Sequence, residues 1–181
     1  MKKLSLVIAA AAAVLALAGC KNGAQEVAVV ETVGDTSNYY YGVTGTATVT
    51  TKTETYTATT TYTATDKTLA NVTTSSDYNT NQIVYKYNIS EIKSKTVSGT
   101  TTVSESDNAV FGFTVVKMGG DYYLNVAGAS SESAKFAGNS NYIKLEKFST
   151  ENLTGTVTYT GKIEGVTATF TVVLNLELSK L

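Results

Sequence analysis

The stretch VTGTATVTTKTETYTATTTYTAT, Val43 to Thr65, decides the fold. Its composition is that of a low-complexity stalk, yet its apolar residues keep a phase. In the first half they fall on odd positions: Tyr41, Val43, Ala47, Val49. In the second half they fall on even ones: Tyr56, Ala58, Tyr62, Ala64. A straight strand cannot change phase without putting half of these groups in water. A hairpin with the loop Thr51-Lys52-Thr53-Glu54 resolves the conflict. Val49 then faces Tyr56, Ala47 faces Ala58, Val43 faces Tyr62 and Tyr41 faces Ala64 on one side. The other side is nearly all Thr, a β-branched surface that tolerates water.

The same alternation runs outward from this block. LTGTVTYTGKI is apolar at odd positions and VTATFTVVLNLEL at even ones. A two-residue Glu164-Gly165 turn pairs Ile163 with Val166, Tyr159 with Phe170 and Val157 with Val172. VVKMGGDYYLNV reads as a hairpin around Met118-Gly119-Gly120-Asp121. Five-residue connections at Glu91–Lys95 and Ser104–Asn108 keep Ile89, Val97, Val103, Ala109, Phe111 and Phe113 on one face. The expected fold is all-β: an antiparallel meander of about eight to ten strands, as an up-and-down barrel or a barrel-like sandwich. Closure removes exposed edges in a chain that has no Pro to guard them. Residues 66–81 and 129–140, rich in Ser, Asn, Asp and Gly, read as loops. A strand at Val27–Val33 and a helical period at Ser130–Phe136 are the remaining local signals.

The N-terminus carries different information. Met1-Lys2-Lys3 followed by the apolar run Leu4 to Ala18 has the form of an export signal, too short for a comfortable membrane span. Two cleavage sites compete. Ala16-Leu17-Ala18 meets the small-x-small rule, with a cut after Ala18. Leu17-Ala18-Gly19-Cys20 resembles the lipobox of bacterial lipoproteins, and Cys20 is the only cysteine. That resemblance implies a diacylglyceryl group on the Cys20 thiol, with Leu17, Ala18 and Gly19 read by the signal peptidase. Residues 1–19 are then the signal, 20–38 a lipidated tether and 39–181 one domain. A diacylglyceryl plus an N-acyl chain anchors a protein durably, at roughly 0.8 kcal/mol per buried CH₂. Lys21, where an aspartate favours inner-membrane retention in many Gram-negative systems, points to the outer membrane. The Lys-only basic content and Thr-rich strands are similar to those of small surface lipoproteins of spirochaete-type bacteria.

The absent residues narrow the chemistry. The chain has no His, Arg, Trp or Pro, and its 14 basic residues are all Lys against 15 acidic ones. Without His there is no Ser-His-Asp or Cys-His nucleophile and no imidazole metal ligand. Without Arg there is no bidentate clamp for phosphate or carboxylate. A mature charge near −3 gives no reason to expect nucleic acid or an anionic membrane surface. Carboxylates Asp107, Asp121, Glu146 and Glu164 sit beside turns or on polar strand faces, where solvation explains them. Asp121 alone is too small an oxygen set for calcium, and no cofactor is implied. The Asn-x-Ser/Thr triplets at Asn71, Asn88 and Asn152 are ordinary in so Thr-rich a chain. The TxT runs from Thr51 to Thr65 are similar to the threonine ladders of ice-binding β-solenoids. Here they span one hairpin, and a solvated strand face is the plainer explanation.

Tyr39, Tyr40, Tyr41, Tyr85, Tyr87, Tyr122, Tyr123 and Tyr142 are cross-strand packing, cavity lining or a partner patch. The functional expectation is a non-enzymatic, lipid-anchored outer-membrane lipoprotein with a structural, adhesive or antigenic role. Its partners are the membrane, through the anchor, and a host or envelope protein. A lipocalin-like carrier of a small hydrophobic ligand is the alternative. A small transmembrane barrel with tyrosine girdles is a lesser one, since the last strand ends Leu-Ser-Lys-Leu rather than in an aromatic.

Overall fold

The computed structural model describes residues 36–77, 81–126, 142–163 and 165–181. The elements among them are nine strands: β1 (Thr36–Lys52), β2 (Thr57–Thr63), β3 (Leu69–Asp77), β4 (Gln82–Ser98), β5 (Thr101–Met118), β6 (Asp121–Asn125), β7 (Tyr142–Leu145), β8 (Asn152–Ile163) and β9 (Val166–Lys180). All pairings are antiparallel and belong to one sheet. The domain is therefore all-β, with a strand count inside the expected range.

The order across the sheet is β7-β6-β5-β4-β2-β1-β9-β8, with β3 also lying between β1 and β4. β1 pairs with β2 through Thr46–Lys52 and with β3 through Thr36–Gly42. β4 embraces the same two strands from the other side. So β2 and β3 act as one long strand, broken between Ala64 and Thr68. The break is stitched by Ala64 N–H donating to the Gly45 carbonyl at 2.9 Å and Val43 N–H donating to the Thr68 carbonyl at 3.1 Å.

With β2 and β3 taken as one row, the sheet is a meander that curls into a barrel-like ring. A Cβ added at Gly155 of β8 would lie 3.8 Å from the Leu145 side chain of β7. No ladder joins those two strands among the described residues. Their inward side chains instead share one core, where Leu145 and Ile143 join Leu153, Val157 and Phe170. The ring is thus closed by packing, and each fully buried Leu, Ile or Phe contributes roughly 1.5–3 kcal/mol.

Two expected registers are observed. Ile163 pairs with Val166, Tyr159 with Phe170 and Val157 with Val172. Met118 pairs with Asp121 across Gly119-Gly120. Three expectations need correction.

The β1–β2 hairpin is displaced by four positions: Lys52 pairs with Thr57 and Ala47 with Tyr62, leaving Thr53–Tyr56 as the loop. Tyr41 faces Ala70 of β3, not Ala64. An even shift leaves every side chain on its face, so parity cannot detect it. The core also accepts threonine there. Thr60 and Thr96 are buried and share a 2.9 Å hydroxyl–hydroxyl bond.

Residues 66–81 are not simply a loop, because they contain β3. Its Ser and Asn content hid an alternation in which Ala70 and Val72 point inward. The connections at Glu91–Lys95 and Ser104–Asn108 are strand interior. The turn lies at Gly99-Thr100, and the phase changes through β-bulges, with Glu91 at φ 53°. A bulge changes phase without ending the strand.

The Val27–Val33 strand, the Ser130–Phe136 helical period, the 129–140 loop and Glu164 lie outside the described residues. No helix among the described residues is long and apolar enough to cross a membrane.

Candidate functional site

Cys20 and its neighbours Leu17, Ala18 and Gly19 lie outside the described residues, and any chemistry of the β-domain must come from its own side chains. The carboxylates do not converge. Asp107 is on the outer wall of β5, 3.5 Å from the Lys93 ammonium, both well exposed. Asp121 is at the Gly119-Gly120 turn and holds the Lys144 ammonium at 2.8 Å. That hydrogen bond raises the Lys144 pKa, with Glu146 as a further negative neighbour. The Asp121 carboxylate is therefore taken up by an ammonium. Among the described residues no group of three or more Cys, His, Asp or Glu is placed to hold a metal ion.

One cleft does open on the barrel wall. The β2–β3 break, the Glu91 bulge in β4 and the irregularity of β5 at Asp107-Asn108 fall side by side. Together they leave a cleft of about 390 Å³ lined by Thr65, Asp66, Lys67, Glu91, Lys93, Asp107 and Asn108. Two of its lining residues are tied together by the buried Thr68 hydroxyl, which accepts from the Thr65 N–H at 2.7 Å and donates to the Glu91 carbonyl at 3.2 Å. Charges of both signs line it, open to water. Sequence reading missed this cleft because bulge positions leave no compositional mark.

The tyrosines divide by position. Tyr39 and Tyr40 are exposed, while Tyr41, Tyr85, Tyr122, Tyr123 and Tyr142 are half-buried. Tyr87 is 2% exposed and stacks on Phe113 at 4.8 Å. An aromatic ladder runs up the interior. Tyr62 meets Phe111 at 4.6 Å, Phe111 meets Phe113 at 5.5 Å, and Tyr122 meets Phe148 at 5.2 Å. The Tyr87 hydroxyl is buried with no hydrogen-bond partner among the described residues. Burial first, then the neighbouring Tyr85, Tyr122 and Tyr41, push its pKa far up. Burial alone pushes Tyr159 up to about 12.

These phenols make an alkaline prediction. The unfolded chain releases their protons near pH 10 while the folded chain holds them, so the folded state binds more protons above that pH and stability falls. Stability is expected to be insensitive to these groups below pH 10. Above it, each buried phenol steepens the loss by about 1.4 kcal/mol per pH unit, for Tyr159 until pH passes about 12. The tyrosinate absorbance of Tyr87 and Tyr159 should appear only together with loss of the strand circular dichroism signal. A single gradual rise with the fold intact would contradict the burial.

Comparisons with known proteins add nothing to this geometry: no family model, no curated protein and no solved structure matches the chain.

Proposed function

We propose that the chain is a non-enzymatic lipoprotein, anchored in the outer membrane through Cys20 and presenting its β-domain on a tether for a structural, adhesive or antigenic role. The observation that carries this reading is Leu17-Ala18-Gly19-Cys20 at the end of the apolar run, with the one cysteine where the thioether forms. Two features of the domain support it over its rivals. The outward face of β9 reads Thr167, Thr169, Thr171, Val173, Asn175 and Glu177, a surface suited to water rather than to acyl chains. The aromatic ladder fills the interior with side chains, which speaks against a hollow carrier.

The test is an intact mass of the protein recovered from its cells. A lipidated Cys20 start is expected, together with loss of both the lipid mass and membrane fractionation in Cys20→Ser. A bare Gly19 start would replace this reading with ordinary secretion. Added protease is expected to shave the domain from intact cells. Protection until the outer membrane is permeabilised would place the domain in the periplasm.

A further inference from the structure

The β1–β9 pairing joins hairpins from opposite ends of the chain and merges their outward threonines into one array. Across the sheet, Thr158 lies beside Thr171, Thr171 beside Thr50, and Thr50 beside Thr59. The next row is Thr156, Val173, Thr48 and Thr61. A row on each flank completes four strands by four rows, in which Thr fills thirteen of sixteen positions. The exceptions are Lys52, Val173 and Asn175, so the array has no carboxylate and a single charge at its border. None of the sixteen side chains is buried. Within the first row the hydroxyls are already aligned: Thr158 and Thr171 are 3.1 Å apart, Thr50 and Thr59 3.0 Å. Each hydroxyl keeps further donor or acceptor capacity for a ligand.

We propose that this face binds an extended, neutral polysaccharide. A row repeats one group, a hydroxyl beside a methyl, at the strand spacing of about 4.8 Å. That is close to the length of one pyranose ring in an extended β-linked chain, so successive sugars meet equivalent threonines. The hydroxyl serves the sugar hydroxyls and the methyl packs on the sugar C–H face. With no carboxylate and only the Lys52 ammonium at its border, the array suits a neutral polymer, and the shallow surface requires many weak contacts made together. Strands turn by roughly 20–25° from one to the next. The array is therefore twisted, which suits a flexible chain and disfavours a flat crystalline lattice such as ice. The inference does not depend on the lipid anchor.

The test is native gel electrophoresis of the full chain in non-ionic detergent, with and without a soluble mixed-linkage β-glucan in the gel. The glucan is expected to retard the protein, and Cys20→Ser should be retarded equally. Thr50→Val with Thr171→Val keeps the methyls and the strand preference but removes two hydroxyls. It is expected to weaken retardation about tenfold. Thr50→Glu with Thr171→Glu should abolish it, while Thr102→Glu, on the exposed β5 outside the array, should not. Unretarded wild-type protein, retardation only by charged alginate, or full retardation of folded double variants would each overturn the proposal.

Discussion

Replacing Gly45 by alanine is expected to remove a large share of the domain's stability. Gly45 sits inside β1 opposite Leu176 of β9, at φ +101°, and an added Cβ would fall 2.1 Å from the Asn175 carbonyl oxygen. The obstructing atoms are backbone, so no rotamer change relieves the overlap. A positive φ alone costs a non-glycine residue about 1–3 kcal/mol, and displacing the β1–β9 ladder adds to it. The expected loss is about 4 kcal/mol or more, against a total of roughly 5–15 kcal/mol for a domain. Gly119→Ala is the matched control. Gly119 also has positive φ, 62°, but a Cβ there meets nothing within 4 Å. Its cost should stay near 1 kcal/mol. Urea titration followed by far-ultraviolet circular dichroism distinguishes the two, and equal losses would show that the close approach at Asn175 is unimportant.

The second large effect is expected from Phe170→Ala. Phe170 is fully buried, stacked on Tyr159 with ring centres 5.1 Å apart and planes inclined by 18°. Its strand neighbour on β1 is Thr51, 1% exposed, whose hydroxyl has no partner among the described residues. Truncation removes the ring's transfer energy and leaves a cavity beside an unsatisfied polar atom, together about 3–5 kcal/mol. Val173→Ala, three residues away but facing outward, should change stability by less than about 0.5 kcal/mol. If Phe170→Ala cost no more than that, the interior would be loosely filled and the carrier reading would regain weight.

The hairpins legible in the sequence were those with a glycine turn and a dense apolar face. Gly165 and the Gly119-Gly120 pair each fix a register, and Tyr159 opposite Phe170 leaves no competing alignment. The Val43–Thr65 block was legible in phase but not in register. Alternating threonines make every even shift equally acceptable until Thr60 meets Thr96 from β4. Glu91 was unreadable for a different reason: a left-handed bulge at a glutamate has no residue-type signature. As for function, the threonine array was half visible in each terminal hairpin. Only the pairing of β1 with β9 makes it one surface, and no local pattern announces that pairing.

That pairing also sets the order of events in the life of the chain. Gly42 and Ser179 lie side by side although 137 residues separate them. β1 has no partner on its β9 flank until Val166–Lys180 has been made. Contacts of such long range slow folding, because the intervening chain must first be brought to heel. A nascent chain lacking Val166–Lys180 therefore stays open and threadable.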